Sequence, residues 1–560
     1  MKRILSILTI LIALLVLVSC TNDIADPAKS GEPSTWEDVF LTFWNTMNTE
    51  YVHFESEPDL DWDGVYSKYL PLFEDLNFKL QSDSMKAFSY FKEIALKIKC
   101  DNHYELTVAD DFGSYLAITP AAERKWAAAG ENRKIESYPD IVWIENEVKS
   151  LRAVSGDIVI ANTAKTTNAE EENYKSFLKG IEGYYEVENL NKNGYFHNET
   201  KTLASDFSNG YVSAVISTSE KVDAYYETGS TVTSTSGIST PSYDRKAAGM
   251  SSIKSTEAQA LWKDLVTELK LEGFSYFYGL TDDGIFYFYL SSFPSEKILE
   301  LEAILSPVIK GETYLSLSAE MKALFDRLWK GGEDRLYDDM ETQINQLKGI
   351  CDLVNNLRLI GSINECIVDG RHIHNVDGVI MDVRCNGGGD FSFLLSAMGS
   401  FFSDETQIGY LRYKDGYSRY EYTPWVTYEI PSEYSNAPAD ECYQKPFYII
   451  VNGASGSCSE IAALMVKLLP KGKVLGTTTY GATCGLSDRN TFHSGPFSSG
   501  NVAIYTTSFE IVGKEKESYE GSGITPDIKV ESDGTAEDKR YLRALEEIKK
   551  DIASSSEDGK

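Results

Sequence analysis

The chain has 560 residues, of which 42% are hydrophobic, 12% aromatic and 25% charged. That is enough apolar material for several packed domains, and it excludes a disordered or fibrous chain. Lys and Arg number 53 against 85 Asp and Glu, a net charge of −32, which argues against nucleic acid as a partner because the surface repels phosphate. Eight Cys with no CxxC pair support neither a small disulfide scaffold nor a zinc site.

Lys2 and Arg3 precede an apolar run, Ile4 to Val18, that is too short for a comfortable membrane span. Leu17-Val18-Ser19-Cys20 ends that run and polar Thr21-Asn22-Asp23 follows. The pattern resembles a bacterial lipoprotein signal, and it predicts removal of 1–19 and lipidation of Cys20. An ordinary signal peptide with an incidental Cys is the alternative. The expected location is the cell envelope, most naturally the outer membrane on its periplasmic or surface face, with the membrane as partner through the Cys20 lipid. Seven Cys would remain, an odd number that leaves at least one without a partner in the chain.

Residues 20–33 read as a tether and 34–119 as a helical module. Ser34-Thr35-Trp36-Glu37 reads as a capping box. Trp36, Phe40, Phe43, Met47 and Tyr51 follow at helical spacing, and a second helix is predicted over Ser84–Lys99 with Met85, Phe88, Phe91, Ala95 and Ile98 on one face. Residues 120–274 form an atypical, β-rich mixed insert. Strands are predicted at Ile141–Glu145 and Ile158–Ala161, a hairpin through Asn193-Gly194, and a Ser/Thr-rich loop over 229–256.

From 275 to 532 strand and helix patterns alternate, which implies an α/β core. Strands are predicted at Gly284–Ser291, Gly378–Arg384, Phe447–Val451, Lys473–Gly476, Asn501–Thr506 and Asp527–Val530. Helical stretches are predicted at 296–306, 317–330, 335–357 and Ser459–Leu469, and 533–560 reads as a charged helical tail.

Two segments of this core carry chemistry. In the first, a buried strand runs into Asp382, Arg384 and Asn386 and then Gly387-Gly388-Gly389. Glycines there let backbone N–H groups approach a ligand, although a plain glycine-rich turn has the same letters. In the second, the strand Phe447–Val451 passes through Asn452-Gly-Ala-Ser-Gly into Ser457-Cys458-Ser459-Glu460-Ile461. A Ser on such a strand-to-helix turn is either an exposed nucleophile with an oxyanion donor in the next N–H or a helix cap.

Together the two segments resemble the tail-specific, or C-terminal processing, protease family, which pairs a D-x-R-x-N-G-G-G turn with an S-x-S-E-I helix. Val474-Leu-Gly476-Thr-Thr-Thr-Tyr-Gly481 and Glu520-Gly-Ser-Gly-Ile-Thr-Pro-Asp-Ile-Lys-Val530 match two further motifs, and Phe286–Phe293 resembles the family's first core strand. Asp61-Trp62-Asp63 and Asp101-Asn102-His103 resemble its N-terminal domain. The likeness covers roughly 35–120 and 275–532.

The resemblance implies an α/β (α+β) protease core of ClpP/crotonase-like type behind a helical N-terminal module. It implies a polypeptide substrate and no metal or cofactor. One branch of the family activates its Ser with a Lys that this chain replaces by Ala482, so the tricorn-like branch is the better likeness. On that branch Ser457 matches the nucleophile, His103 the base and Glu520 the acid that orients the imidazole. The N–H groups of Gly388 and Cys458 would form the oxyanion hole, and Asn102 would hold a supporting place. The chemistry is consistent, since a serine hydroxyl needs an adjacent base and a carboxylate fixes the tautomer of that base.

No A-G-L-x-x-G-D signature of a PDZ domain occurs in 104–280. The missing lysine, the missing signature and the insert favour the competing reading, an inactive peptide- or glycan-binding lipoprotein on the same scaffold. Arg371-His372-Ile373-His374 places two His on one side of a strand, which without a third ligand reads as structural. Tyr184-Tyr185 and the Tyr-rich 410–428 stretch read as packing in preference to a sugar site.

Overall fold

The computed structural model describes residues 34–121, 256–300, 334–368, 371–435, 442–486, 494–531 and 539–557 apart from isolated positions, together with four strands within 159–233 and short pieces between 315 and 326. Cys20 and the 1–33 leader and tether, Ile141–Glu145, Tyr184-Tyr185, the Asn193-Gly194 hairpin and most of the 229–256 loop lie outside the described residues. No helix among the described residues is long and apolar enough to cross a membrane, and no disulfide joins the described cysteines.

The chain divides into two compact units. The described part of the first comprises 34–120, 413–424 and 494–510. Its first helix, Trp36–Glu50, starts at Thr35, whose side chain accepts from the Asp38 N–H at 3.0 Å. The cap therefore sits one residue later than the sequence predicts, and Ser34 binds Asp38 instead of Glu37. Trp36, Phe40, Phe43, Met47 and Tyr51 are all fully buried, as their spacing requires.

A second helix, Trp62–Glu74, is capped by Asp61, which accepts from the Gly64 N–H at 2.8 Å. The third runs over Gln81–Ala95, earlier than predicted, and Met85 is 60% exposed rather than on the buried face. These helices cover a four-stranded antiparallel sheet in the order 497–499, 502–505, 105–109, 115–118. The strand Val502–Tyr505 thus belongs to this unit and not to the later α/β core. Its alternation of buried Val502 and Ile504 fills the same core as Phe43, Phe91 and Leu106.

The second unit holds a six-stranded sheet in the order 528–529, 472–476, 447–451, 378–382, 285–290, 276–280. All neighbours pair parallel except the outermost two, Tyr276–Leu280 and Ile285–Leu290. The strands Ile285–Leu290, Gly378–Asp382 and Phe447–Val451 are buried at every position. Parallel strands covered on both faces need that continuous apolar run. The helix Cys458–Leu468 connects Phe447–Val451 to Gly472–Gly476, a βαβ crossover. The helix Lys539–Glu557 contributes buried Tyr541, Ala544 and Ile548. Elsewhere in this unit, the strands within 159–233 form a separate antiparallel sheet.

One buried ion pair fixes the end of the central strand. Asp382 and Arg384 are both fully buried. The Arg384 Nε lies 3.0 Å from each Asp382 carboxylate oxygen, and the Tyr287 hydroxyl donates to Oδ2 at 2.6 Å. The pair turns the chain out of the sheet toward Asn386 and the glycines. Asp382→Asn keeps the shape but leaves the guanidinium without its counter-charge. Such a buried, uncompensated charge costs about 3–5 kcal/mol. Urea denaturation of the variant should show that loss, and an unchanged midpoint would refute this role for the pair.

Candidate active site

The two chemistry-bearing segments meet at the C-terminal ends of adjacent parallel strands, where α/β sheets ordinarily place their ligands. Asn386, fully buried, joins them. Its carbonyl accepts from the Gly456 N–H at 3.0 Å and from the Ser459 hydroxyl at 2.8 Å, and its side-chain amide donates to the Leu290 carbonyl at 3.0 Å. Asn452 braces the same turns, its Oδ1 accepting from the Cys385 N–H at 3.0 Å.

Ser457 caps the helix Cys458–Leu468 with φ +52° and ψ −120°. A non-glycine residue rarely adopts that backbone, and such strain persists only where the surroundings impose it. Here Gly388 leaves room for it, and Glu460 holds the Ser457 N–H. A Cβ on Gly388 would stand 2.5 Å from the Ser457 Cβ, and Gly388 itself has φ +110°. Cys458 stands at the first helical position, where an amide has no carbonyl one turn back and the helix dipole favours negative charge. Gly388 is different from the sequence expectation. Its N–H donates to Asn386 Oδ1 at 2.8 Å, so in this geometry it is engaged within the turn and serves as a close-approach residue. The Cys458 thiol donates to the Gly389 carbonyl at 3.2 Å, and burial pushes it up to about 12, so it is no thiolate nucleophile at neutral pH.

Glu460 is a letter of the S-x-S-E-I motif whose role nothing in the sequence pattern reveals. Its carboxylate is fully buried and accepts four hydrogen bonds. Oε1 takes the Thr479 hydroxyl at 2.5 Å and the Gly481 N–H at 2.8 Å; Oε2 takes the Ala482 N–H at 2.6 Å and the Ser457 N–H at 3.1 Å. Glu460 therefore ties the Ser457 turn to the segment 479–482. Ala482, at the family's lysine position, is itself buried and held by this bond. The next two residues belong to Glu520, which accepts from the Cys484 N–H at 2.8 Å and the Thr483 hydroxyl at 3.4 Å. Glu520 is nearly buried. The second unit thus brings Ser457, Cys458, Gly388 and Glu520 onto one frame.

His103 and Asn102 lie in the first unit. Asn102 is buried. His103 follows Asp101, whose Oδ1 accepts the His103 N–H at 2.9 Å. The imidazole Nδ1 is buried with no hydrogen-bond partner among the described residues. Burial lowers the His103 pKa, and His53 adds to that lowering against the opposing charge of Asp101. His372 and His374 each place Nδ1 on the same carboxylate, Glu365, at 2.8 and 2.5 Å across the Glu365–Val368/Arg371–His374 hairpin.

Residues 361–530 match the model of peptidase family S41. The match takes in less than a third of the chain. It contains Asp382, Gly388, Ser457, Glu460 and Glu520, while His103 precedes it. Over 160 residues the chain is 27% identical to the nisin-resistance protein of Lactococcus lactis subsp. lactis, covering 28% of this chain and 47% of that protein. The chain spans about half the length of the curated relative it matches. Among solved structures, a Parabacteroides merdae protein assigned as a peptidase is 17% identical over 92% of this chain and 97% of its own, with a TM-score of 0.43. The photosystem II D1 C-terminal processing protease is 12% identical over 92% and 98%, with a TM-score of 0.33. Those TM-scores are too low to bear on substrate or mechanism.

The four bonds to Glu460 predict how a single-atom change behaves. In Glu460→Gln one carboxylate oxygen becomes an NH2 group, which must face at least one backbone N–H whichever way the amide turns. The variant should lose about 2–4 kcal/mol of stability, since buried donors are left unsatisfied. Denaturant titration measures the loss, and a variant as stable as the parent would show that the bonds do not hold the turn.

Proposed function

We propose that the chain is a serine peptidase of the cell envelope, anchored by lipid on Cys20, which hydrolyses peptide bonds on a ClpP/crotonase-like core. The observation that carries this reading is the Ser457 elbow. A strained serine at a helix N-terminus, followed by an open amide and braced by a buried carboxylate, is an arrangement suited to acyl transfer.

Ser457 Oγ attacks the peptide carbonyl carbon as its proton passes to His103 Nε2. The Cys458 N–H stabilises the oxyanion. The C–N bond then breaks, and His103 returns the proton to the departing amine. Water attacks the acyl-enzyme in the same way and frees Ser457. Glu520 is assigned the role of the acid that fixes the imidazole tautomer and stabilises the imidazolium. The lowered pKa of His103 supports its role as the base, since it keeps the imidazole neutral at pH 7.

A second reading, a peptide- or glycan-binding lipoprotein without catalysis, draws on buried Ala482 in place of the family lysine. A fluorescent fluorophosphonate probe separates the two. The wild-type protein should label, and Ser457→Ala and His103→Ala should cut the labelling rate at least ~10³-fold. The rate should rise with pH and level off, with its midpoint below the ordinary histidine value of about 6.5, because the neutral imidazole is the active form. Absence of labelling in a folded wild type would overturn the peptidase reading.

A further inference from the structure

The first unit contains a second buried histidine that the mechanism above does not use. His53 is 1% exposed, and it sits between two buried acids. Its Nδ1 lies 3.3 Å from Glu510 Oε1, an oxygen that also accepts from the Ser56 hydroxyl. Its Nε2 lies 2.7 Å from the Thr507 hydroxyl. Thr507 in turn reaches Asp101 Oδ2 with its N–H at 3.1 Å and its hydroxyl at 3.4 Å, and Thr506 donates to the same oxygen at 2.6 Å. The other oxygen of Asp101 accepts the His103 N–H at 2.9 Å. Polar groups therefore run without a break from Glu510 through His53, Thr507 and Asp101 to the backbone of His103, all within one unit.

The chain of contacts has one direction when His53 carries both ring protons. Nδ1–H then donates to Glu510 and Nε2–H to the Thr507 oxygen, leaving the Thr507 hydrogen for Asp101. A cation between Glu510 and Asp101 also meets the need of buried carboxylates for a counter-charge. Other titratable groups facing His53 include Glu57, Tyr51 and His103. Tyr51 stays a neutral donor to Glu57 at 2.7 Å, since burial and that carboxylate raise its pKa well above the ordinary value.

We propose that His53, acting through Thr507 and Asp101, is a positioning residue for His103: it fixes the Asp101–His103 turn and sets how strongly the Asp101 carboxylate acts on the His103 ring. The proposal rests on His103 being the base of the peptidase reading, but its test does not depend on activity. A structural pin alone would explain the bonds and would leave the titration of His103 unmoved in a folded variant.

The experiment uses protein with 15N-labelled histidine and follows ring resonances against pH, with His103 assigned by its loss in His103→Ala. His53→Gln removes the ring and any proton charge it carries. Thr507→Val has nearly the same shape as threonine and removes only the hydroxyl link, so it serves if His53→Gln fails to fold. Both should raise the His103 midpoint by about half a pH unit or more, because Asp101 then acts on the ring with less of its charge compensated. Thr507→Ser should restore the wild-type midpoint. Midpoints unmoved in folded Thr507→Val and His53→Gln overturn the proposal. Fluorophosphonate labelling of the same proteins keeps the two claims apart. A shifted midpoint with no wild-type labelling retains the coupling and defeats the peptidase reading, whereas labelling with unmoved midpoints does the reverse.

Discussion

Everything around Ser457 depends on one buried carboxylate. Glu460 is satisfied by three backbone N–H groups and a hydroxyl. A carboxylate held that way is a rigid four-way joint, since every donor is fixed by its own element. It places the first turn of one helix against the loop after the neighbouring strand, and it leaves Ser457 in a backbone conformation that the residue would not choose alone. The loop it grips ends at Ala482 and continues directly into the two residues that bind Glu520.

The same frame gives a physical account of the missing lysine. Where the resembling family would carry a basic side chain, this chain has a small buried residue whose amide is spent on Glu460. No proton acceptor can come from that position. A base, if the serine is activated, has to come from elsewhere in the chain, and the first unit offers a histidine with a lowered proton affinity. Neutral imidazole is what the chemistry needs, and burial is what supplies it.

Much of this was legible in the sequence. The strands Gly378–Asp382 and Phe447–Val451 announce themselves as apolar runs ending in polar and glycine-rich turns, and the structure places both at the centre of the parallel sheet. The Trp36–Tyr51 periodicity likewise translates directly into a buried helix face. What was not legible depends on long-range pairing. Val502–Tyr505 has the letters of any half-buried strand, and nothing local tells it to pair with Glu105–Ala109 instead of joining the core sheet. Side-chain acceptors are equally invisible to pattern reading. The Gly388 amide looks available in a glycine run, yet Asn386 two residues earlier folds back and takes it. The His53–Thr507 contact spans 454 residues of sequence, beyond any motif. The cap differs by one residue for a simpler reason: Ser34 and Thr35 are both suitable caps, and Thr35 is the one whose hydroxyl accepts from the Asp38 N–H.

The most direct measurement is the mass of a covalent adduct and its position in the chain. The protein would be reacted to completion with a fluorophosphonate, weighed intact and digested for peptide mapping. A catalytic Ser457 predicts one adduct per chain, on the peptide carrying Ser457, with Ser455 and Ser459 unmodified. No adduct on folded protein, or an adduct spread over several serines, would contradict the assignment of Ser457 as an activated nucleophile.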